Sequence, residues 1–572
     1  MSIAETLILE NLQTKNPYLE LGNCELTGKE TCLLLLKKCD HIETLIFSNE
    51  WYEFNETKNE WIKHQSQNEG KPNKLTSLPE YPPLLKKFVL AGNLDNPFEI
   101  SDISALKELH NLTNLDLSYN PISDITPLKE LHKLTHLNLS SNPILDIELL
   151  KELHKLTHLY LWGNHISNID PLKELHKLTN LNLQNNKISD IAPLKKLHKL
   201  TDLYLYNNQI SDIAPLKKLH KLTHLELQDN KISDINPLKK LNNLTNLFLI
   251  SNQISNINPL KKLNKLTDLN LNFNKISDIT PLKKLNKLTY LNLRYNKISD
   301  IDPLKKLHKL TNLDLSDNQI SNIDPLKKLH KLTHLDLSSN QISDIAFLKE
   351  LTDLTYLNLS SNHISDFSFL KELKGLTALN LSSNHISDIS ALKELKSLIS
   401  LFLNNNHISD ISALKELKNL TSLSLINNQI SDVSALKELY SLTSLSLIDN
   451  QISDISALKE LKSLISLFLI ENKISDFSCL LQLDKLENIS INRNKIAFPI
   501  DRTLAHLLYC CDKKIPHTSI PQQNVMPPFF EQIYNLMVSK DEANQTLAKQ
   551  LAMGQGWTER DIEAYFWFYT TN

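Results

Sequence analysis

The chain has 572 residues, with 62 lysines and arginines against 65 aspartates and glutamates, and a net charge of −3. This balance, with a pI near 6.7, argues against a dedicated nucleic-acid-binding protein. The 8 glycines exclude glycine-rich phosphate loops, and the 6 scattered cysteines, none in a CxxC pair, fit a reducing compartment. The N-terminus lacks a signal-peptide pattern, and no apolar run approaches about 20 residues, so we expect neither a signal peptide nor a membrane span.

Residues 1–72 are predicted to form an N-terminal cap that contains a longer repeat. LELGNCEL at 19–26 is typical of a strand and its turn, with Cys24 where later repeats carry asparagine, and IETLIF at 42–47 predicts the next strand. The polar and aromatic segment 49–74 is interpreted as an irregular insertion whose Trp51 and Trp61 cover the first coil.

From residue 73 to residue 498 the sequence repeats. LTHLDLSSNQISDI at 332–345 recurs every 22 residues, and 18 asparagines from Asn120 to Asn494 keep that spacing without a break. A fixed period of this kind indicates a solenoid with one repeat per coil. Leu335 and Leu337 alternate with polar residues, which predicts a short strand with inward-facing leucines.

The columns that all repeats share are predicted to be structural. Each ladder asparagine stands where the chain leaves the strand, and its buried amide can bond the backbone of its own coil and of the next. The aspartate of each ISDI, such as Asp212, is expected to cap the turn that follows. The return segment carries proline from Pro127 to Pro325, and proline suits the first position of a short 3₁₀ turn.

The unit LxxLxLxxNxISDIxPLKxL resembles the bacterial leucine-rich repeat of 22 residues, as found in internalins and in phosphatase-regulating proteins with similar repeats. The resemblance implies an α/β solenoid: a leucine-rich-repeat horseshoe with a parallel concave sheet, a 3₁₀ or short helical convex side, and a cap at each end. It also implies that the concave face binds other proteins and that the repeats are not catalytic. The likeness to internalins is expected to stop at the repeats, because we expect no secretion signal or wall anchor.

Residues 499–572 have lost the period and are predicted to form a C-terminal helical cap or small helical domain. Helices are expected over 503–511, 528–538, 541–553 and 559–569. Thr558 and Asp561 form a helix-start signal. The aromatic run YFWFY at 565–569 is expected to seal the last coil, and a partner-binding helix is the alternative.

One short motif raises the question of catalysis. Cys510, Cys511 and Asp512 match the CxD around the catalytic cysteine of bacterial effector ubiquitin ligases, which also follow leucine-rich repeats. The catalytic domain of those ligases is several times larger than the residues left here. We therefore predict that the chain is not an enzyme.

Two groups of large side chains stand out at strand positions that are expected to face solvent. The first, which we call the central patch and predict to bind a partner, consists of Tyr160, Trp162, Tyr204, Tyr206, Phe248, Ile250, Phe273, Tyr290, Arg294 and Tyr295. The second, the C-terminal patch, consists of Phe402, Ile426, Ile448, Phe468 and Ile470. Tyrosine, tryptophan and arginine are frequent hot-spot residues. Packing between exposed aromatics is the alternative for the first patch, and packing against the C-terminal cap is the alternative for the second.

Two columns on the return side remain. The histidine column is His110, His132, His154, His176, His198, His220, His308 and His330. It could form a metal or pH ladder, but Asn242, Asn264 and Asn286 replace it and no carboxylate accompanies it, so we predict no metal site. The lysine column is Lys195, Lys196, Lys217, Lys218, Lys239, Lys240, Lys261 and Lys262. It is interpreted as a solvated outer face, with an acidic partner as the second reading and nucleic acid as the third.

These observations predict a non-enzymatic, monomeric, bacterial protein–protein interaction scaffold that acts in the cytoplasm. Its partner is a protein bound on the concave face, with no nucleic acid and no cofactor. Two alternatives remain open. The chain could be the targeting or inhibitory subunit of an enzyme such as a phosphatase, or a translocated effector that acts on host proteins without a classical signal peptide.

Overall fold

The computed structural model describes residues 1–55, 60–495, 505, 507–509, 511, 530–538, 542–555 and 557–571. The chain divides into two compact units, Met1–Lys297 and Ile298–Asn572. Within the described ranges, no helix is both long and apolar enough to cross a membrane.

Three-residue strands, one per coil, form a parallel sheet in each unit. The first unit opens with helix α1 (Ile3–Thr14) and contains strands β1 (Tyr18–Glu20), β2 (Thr44–Ile46), an antiparallel hairpin β3 (Glu50–Asn55) and β4 (Glu60–Gln65), β5 (Lys87–Val89), β6 (Asn114–Asp116), β7 (His136–Asn138), β8 (His158–Tyr160), β9 (Asn180–Asn182), β10 (Asp202–Tyr204), β11 (His224–Glu226), β12 (Asn246–Phe248), β13 (Asp268–Asn270) and β14 (Tyr290–Asn292). The second unit contains β15 (Asn312–Asp314), β16 (His334–Asp336), β17 (Tyr356–Asn358), β18 (Ala378–Asn380), β19 (Ser400–Phe402), β20 (Ser422–Ser424), β21 (Ser444–Ser446), β22 (Ser466–Phe468) and β23 (Asn488–Ser490).

A short 3₁₀ helix forms the return side of the coils, except in the second coil, which has none among its described residues. In the first unit these helices are Thr31–Lys38, Ser104–Glu108, Thr126–Glu130, Glu148–Glu152, Asp170–Glu174, Ala192–Lys196, Ala214–Lys218, Asn236–Lys240, Asn258–Lys262 and Thr280–Lys284. In the second they are Asp302–Lys306, Asp324–Lys328, Ala346–Glu350, Ser368–Glu372, Ser390–Glu394, Ser412–Glu416, Ser434–Glu438, Ser456–Glu460 and Ser478–Gln482. The predicted strand, turn and 3₁₀ return of a leucine-rich-repeat solenoid are therefore confirmed.

The core of each coil is made by its leucines and isoleucines. Leu225 and Leu227 are fully buried on the inner side of β11, and Leu225 pairs in parallel with Leu247, one repeat later. The polar residues that alternate with them lie on the opposite face of the strand, because successive side chains in a strand point to opposite sides. This outer face, which we call the strand face, runs across the parallel sheet of each unit.

The asparagine column forms the predicted hydrogen-bond ladder, with one correction. Asn252 Nδ2 donates to the carbonyl oxygen of Leu249 in its own coil at 3.3 Å and to that of Leu227 at 2.9 Å, while its Oδ1 accepts from the amide of Ile232 at 2.9 Å. Leu227 and Ile232 belong to the preceding coil, so the amide reaches backwards and not to the next coil. This geometry arises because the asparagine follows the last inward leucine of its strand, where its side chain lies against the backbone of the preceding coil.

The aspartates of the ISDI segments cap the 3₁₀ helices as predicted. Asp212 Oδ1 accepts from the amide of Ala214 at 2.7 Å, and Asp124 Oδ1 accepts from the amide of Thr126 at 2.8 Å. Hydrogen bonds from the Thr126 side chain and amide lower the pKa of Asp124. These carboxylates therefore stabilise the starts of the 3₁₀ helices.

The insertion after β2 is not irregular, as the sequence had suggested, but an antiparallel hairpin. Strands β3 and β4 pair in register, with Trp51 opposite His64. Their rings stack with centroids 5.3 Å apart and an interplanar angle of 11°. Alternating polar and aromatic residues in 49–65 carry this strand pattern, which the excess of polar residues obscured.

The hairpin lies against the strand face, so the prediction for Trp51 is wrong. Trp51 is 7% exposed and packs in one cluster with Ile46, Val89 and Ala91, which stand on the second and third coils and not on the first. Two adjacent aliphatic side chains on the strand face give the indole an apolar surface that the first coil does not offer. The side chain of Trp61 lies outside the described residues.

Asn73, which follows the hairpin, takes the place of a ladder asparagine for the second coil. Its Nδ2 donates to the carbonyls of Leu21 and Phe47 at 2.7 and 2.8 Å, and its Oδ1 accepts from the amides of Cys24 and Leu26 at 3.0 and 2.9 Å. The hairpin is therefore inserted between a strand and its own ladder residue without interrupting the ladder.

The C-terminal region is helical where it is described. Its helices span Phe530–Met537, Glu542–Gly554 and Glu559–Thr571, and residues 505, 507–509 and 511 are also helical. The start signal of the last helix is confirmed by reciprocal bonds, from the Thr558 amide to Asp561 Oδ2 at 3.0 Å and from the Asp561 amide to Thr558 Oγ1 at 3.1 Å.

The first two members of the aromatic run in the last helix are buried, and Trp567 and Phe568 are half-buried. Tyr565 is fully buried and Phe566 is 5% exposed. Cys511 Sγ donates to the carbonyl of Leu486 in the last coil at 3.4 Å, which ties the described C-terminal residues to the solenoid. Cys510 and Asp512, the cysteine and the aspartate of the CxD match, lie outside the described residues.

Candidate protein-binding surface

Each strand offers a partner two outward positions and a third just beyond its end. In β12 these are Asn246 and Phe248, on either side of the buried Leu247, followed by Ile250. Equivalent positions on neighbouring coils align because the strands pair with a constant offset of one repeat. The chemistry of the strand face can therefore be followed column by column.

The N-terminal end of the central patch is less accessible than expected. Tyr160 is 8% exposed and its ring lies 6.4 Å from the ring of the buried His158, so it offers a partner little surface. Trp162 is half-buried and packs at 5.9 Å against Tyr119, a residue that the sequence reasoning missed. The missed signal was a tyrosine in a column that mostly holds small polar residues.

The hairpin and the strand face enclose a small cleft beside Tyr160. Its volume is about 70 Å³, and it is lined by Trp51, Tyr52, Glu53, Lys87, Phe88, Val89, Asn114, Leu115, Asp116, His136, Leu137, Asn138 and Tyr160. Lys87 Nζ lies 2.9 Å from Glu53 Oε1 of the hairpin. The cleft is therefore lined by aromatic rings and by a charged pair.

The middle of the central patch is a mixed surface and not a continuous aromatic one. Tyr204, Tyr206, Phe248 and Ile250 are all half-buried. The register places Glu226 between Tyr204 and Phe248, since it pairs with both. Rings on alternate coils are thus separated by a carboxylate.

Glu226 is a second residue that sequence reasoning missed. Gln184 and Gln228 each donate an amide hydrogen bond to its Oε2, at 3.2 and 3.1 Å. Burial raises its pKa despite the bond from Gln228, and burial also raises the pKa of Tyr204. The surface therefore combines apolar rings with one partly desolvated carboxylate, which would accept hydrogen bonds from a partner.

The C-terminal end of the central patch is its most exposed part. Phe273 and Tyr295 are 43% and 54% exposed, and their rings stack with centroids 4.4 Å apart and an interplanar angle of 23°. Arg294 is exposed beside them, and Tyr290 is half-buried. The three outermost side chains thus form an accessible aromatic and cationic surface.

Phe273 and Tyr295 lie in the turn after the strand and not on the strand itself. Their φ angles are 52° and 54°, in the left-handed region. The same column in other coils holds residues that tolerate this conformation, among them Asn207, Asp229 and Ser251. For an L residue with a bulky side chain this conformation costs roughly 1–2 kcal/mol, so neither backbone conformation nor burial explains the two rings.

The strand face of the first unit also carries histidines that sequence reasoning did not single out. His136 and His158 stack with ring centroids 4.3 Å apart, and His158 is 4% exposed. Burial, aided by His136, lowers the pKa of His158 to about 4. A run of histidine and aspartate in one outward column, beside tyrosines in the next, was the signal available in the sequence.

The pair His224 and Asp202 resembles part of a catalytic triad but has the wrong geometry. His224 Nδ1 lies 3.0 Å from Asp202 Oδ1 and also 3.0 Å from Thr223 Oγ1. A triad needs the carboxylate and the nucleophile at opposite ring nitrogens, whereas here both oxygens meet Nδ1. The same threonine–histidine contact recurs at Thr157 and His158 at 2.9 Å, which indicates a structural role.

The C-terminal patch lies on the strand face of the second unit. Phe402, Ile426, Ile448, Phe468 and Ile470 are all half-buried. Two further isoleucines that sequence reasoning missed, Ile399 and Ile465, are 45% and 37% exposed just before β19 and β22. In most coils that position holds a threonine whose hydroxyl bonds the preceding coil, as in Thr443 at 3.0 Å, so an aliphatic side chain there departs from the pattern.

The histidine and aspartate columns, whose side chains are of types that can bind metal ions, stay spread along the coils. Over the ranges that the structure describes, no group of three or more His, Cys, Asp or Glu side chains is arranged to hold a metal ion. The return-side histidines are exposed, and His308 Nδ1 lies 3.3 Å from the carbonyl oxygen of Lys328.

Comparison with known proteins places these repeats in a family. The model of leucine-rich repeats (2 copies) matches twelve segments between residues 110 and 460, which together cover more than half of the chain. A leucine-rich-repeat protein of Leptospira interrogans is 27% identical, with a TM-score of 0.58 over 68% of this chain and 98% of that one. The functional domain of InlJ from Listeria monocytogenes is 27% identical, with a TM-score of 0.53 over 61% of this chain and 75% of that one.

An internalin from the same organism, inlF, is 36% identical over 56% of this chain and 88% of its own, with a TM-score of 0.47. The comparison with curated proteins found no matching relative. The repeats, their strand and 3₁₀ geometry, and the bacterial structures they resemble agree with one another. The chain belongs to the leucine-rich-repeat family.

Proposed function

We propose that the chain is a non-enzymatic binding protein whose protein partner docks on the strand face of the first unit, between Tyr204 and Tyr295. Leucine-rich-repeat proteins are generally binding scaffolds, which supports the class of function. The observation that carries the site is the stacked, exposed pair Phe273 and Tyr295 at a left-handed backbone position. Tyr160 is left out of the proposed site because it is buried.

The energetic argument concerns rings that folding does not require. Burying a whole phenylalanine side chain is worth about 1.5–3 kcal/mol, so leaving about half of Phe273 and Tyr295 in water forgoes roughly 1 kcal/mol each. The stack fixes both rings before contact, which reduces the entropy lost on binding. Arg294 beside them can pair with an acidic group, and Glu226 further along can accept hydrogen bonds.

The test compares two double variants of the full chain as immobilised baits. Phe273→Ser with Tyr295→Ser removes the stack, and Ser251 shows that the column accepts serine. Phe402→Ser with Phe468→Ser is the matched control, since serine already occupies that column at Ser424 and Ser446. We expect a partner captured by the parent chain to be lost with the first variant and retained with the second, with an affinity loss of at least about tenfold once it is purified.

Loss of capture with the Phe402 and Phe468 variant alone would move the site to the second unit. That outcome has its own support in the exposed Ile399 and Ile465, which extend the C-terminal patch. If both variants still capture the partner, both assignments are refuted.

The identity of the captured protein decides between the broader roles. A phosphatase or another enzyme would make the chain a targeting or inhibitory subunit, and a host protein would make it a translocated effector. A reducing compartment is the proposed location in either case. It is supported by the cysteines of the described residues, Cys24, Cys32, Cys39, Cys479 and Cys511, none of which forms a disulfide.

A further inference from the structure

Five consecutive 3₁₀ helices on the return side of the first unit carry positive charge only. They are Ala192–Lys196, Ala214–Lys218, Asn236–Lys240, Asn258–Lys262 and Thr280–Lys284, and none has an acidic residue in its first turn. Each ends in two exposed lysines. These ten side chains, which we call the lysine ridge, are Lys195, Lys196, Lys217, Lys218, Lys239, Lys240, Lys261, Lys262, Lys283 and Lys284.

In the flanking coils, an acidic residue of the same 3₁₀ helix offsets at least one of the positive charges. Lys173 Nζ lies 2.7 Å from Asp170 in the 3₁₀ helix before the ridge, and Glu174 stands where the ridge places its second lysine. Lys305 lies 2.9 Å from Asp302 in the helix after it. Among the described residues, no ion pair within 4.0 Å involves a lysine of the ridge.

The acidic residues nearest in sequence are engaged elsewhere. The carboxylates of Asp190, Asp212, Asp234 and Asp278 accept hydrogen bonds from the first amide of each following helix, at 2.7–2.9 Å. They therefore lie at the start of the 3₁₀ helices, whereas the lysines lie at the end.

The fold does not require this concentration of charge. Glu152 and Glu174 occupy the position of the second lysine in the two preceding 3₁₀ helices with the same backbone geometry. Parallel strands are about 4.8 Å apart, so five coils place ten positive charges along roughly 20 Å. Such a row repels itself, and this repulsion is relieved by a partner of opposite charge.

The residue types around the ridge indicate which kind of polyanion it can bind. Single-stranded nucleic acid is held by aromatic side chains that stack on bases, and the described residues of these helices include none. A five-residue 3₁₀ helix is too short to enter a major groove. An anionic membrane is bound through apolar side chains beside the basic ones, but the leucines of these helices, such as Leu216 and Leu238, are fully buried.

We propose that the lysine ridge is a second interaction surface, separate from the strand face, that binds an acidic segment of a protein. Carboxylates on a flexible or extended segment can meet lysines singly, without the paired geometry that arginine provides for phosphate. At the N-terminal end of the ridge, Lys195 and Lys196 line a groove of about 640 Å³ together with Asp170 and Glu174. The ridge ends there because the groove carries charges of both signs.

The test uses the full chain and a fluorescein-labelled polyglutamate of about ten residues, whose extended length of roughly 30 Å spans the ridge. Fluorescence anisotropy at low salt is expected to show binding that weakens steadily as salt is added. The ridge variant combines Lys217→Glu, Lys218→Glu, Lys239→Glu and Lys240→Glu, and should bind at least about tenfold more weakly.

A matched control reverses the same number of charges outside the ridge. It combines Lys393→Glu, Lys415→Glu, Lys437→Glu and Lys459→Glu, which are lysines on the 3₁₀ helices of the second unit. The control should bind polyglutamate within about twofold of the parent, and both variants should give the circular dichroism spectrum of the parent. The ridge variant should also retain capture of the strand-face partner, which separates this test from the previous one.

Three results would overturn the proposal. The first is absence of polyglutamate binding at low salt, and the second is an equal loss in the control variant. The third is tighter binding, lost in the ridge variant, to phosphatidylserine vesicles or to a single-stranded oligonucleotide of equal charge. That result would assign the ridge to a membrane or a nucleic acid instead.

Discussion

The asparagine ladder gives the most direct test of how the coils hold together, and Asn252→Ala is the informative change. Asn252 is 8% exposed. Its loss leaves the amide of Ile232 without its acceptor at 2.9 Å, whereas the carbonyl of Leu227 loses one bond at 2.9 Å and keeps the bond from Asn230 Nδ2 at 3.2 Å. Each buried backbone group left unsatisfied costs about 1–3 kcal/mol. Since one buried amide is left unsatisfied and water can enter part of the space, we expect a loss of about 1–3 kcal/mol.

Urea titration followed by circular dichroism measures this loss, with Asn264→Ala as the matched control. Asn264 belongs to the same repeat but is exposed on the return side, so its substitution should change the free energy of unfolding by less than about 0.5 kcal/mol. Asn252→Asp should be at least as damaging as alanine, because it places a buried negative charge against the carbonyl oxygens of Leu227 and Leu249. Equal midpoints for the two alanine variants would refute the view that the ladder stabilises the stack of coils.

Three further predictions concern the hairpin, a buried histidine and the C-terminal helix. Trp51→Ala should lower the free energy of unfolding by about 2–4 kcal/mol, since the indole is buried on Ile46 and Val89. Faster proteolytic cleavage of the hairpin in this variant, with no change in Trp51→Phe, would show that the hairpin has lost its packing. The pKa of His158 is lowered to about 4 in the folded chain from about 6.5 in the unfolded chain, so the folded chain binds fewer protons. The contribution of His158 to the free energy of unfolding is therefore fully present above pH 6.5 and should fall by at most about 3 kcal/mol as the pH drops to 4. His158→Gln should reduce this slope in urea titrations across that range, and an unchanged slope would contradict the burial argument. Tyr565→Ala should destabilise the second unit by about 3–5 kcal/mol because Tyr565 is fully buried, and an unchanged thermal melt would show that the last helix does not support the solenoid.

The period of the sequence was sufficient to predict the regular coils. Leucines at fixed positions can be buried in only one way when each repeat must stack on an identical neighbour, so the inward role of Leu225 and the ladder role of Asn252 follow from spacing alone. The capping role of Asp212 also follows, because an aspartate two residues before a short turn has one local amide to bind. These features depend on contacts within a repeat or between adjacent repeats, and the repeat pattern specifies both.

The contacts between segments far apart in the chain were decided by the tertiary structure. Nothing in residues 49–65 indicates which coil a hairpin will cover, because the answer depends on Ile46 and Val89 presenting adjacent apolar side chains on the strand face. Asn73 could not be assigned to the second coil from spacing, because the ladder position of that coil falls on Glu50, at the start of the hairpin. Only the folded hairpin returns the chain to the point where the amide of Asn73 can replace it.

The accessibility of the candidate site was also beyond the sequence. Alternation correctly placed Tyr160 and Tyr204 on the outer face, but exposure depends on the neighbouring side chains, and Tyr160 is buried while Tyr295 is not. The sequence determined the scaffold and the columns on which a partner could be recognised. The tertiary structure decided which members of those columns reach solvent, because burial is set by every side chain that surrounds a residue and not by its position in the repeat.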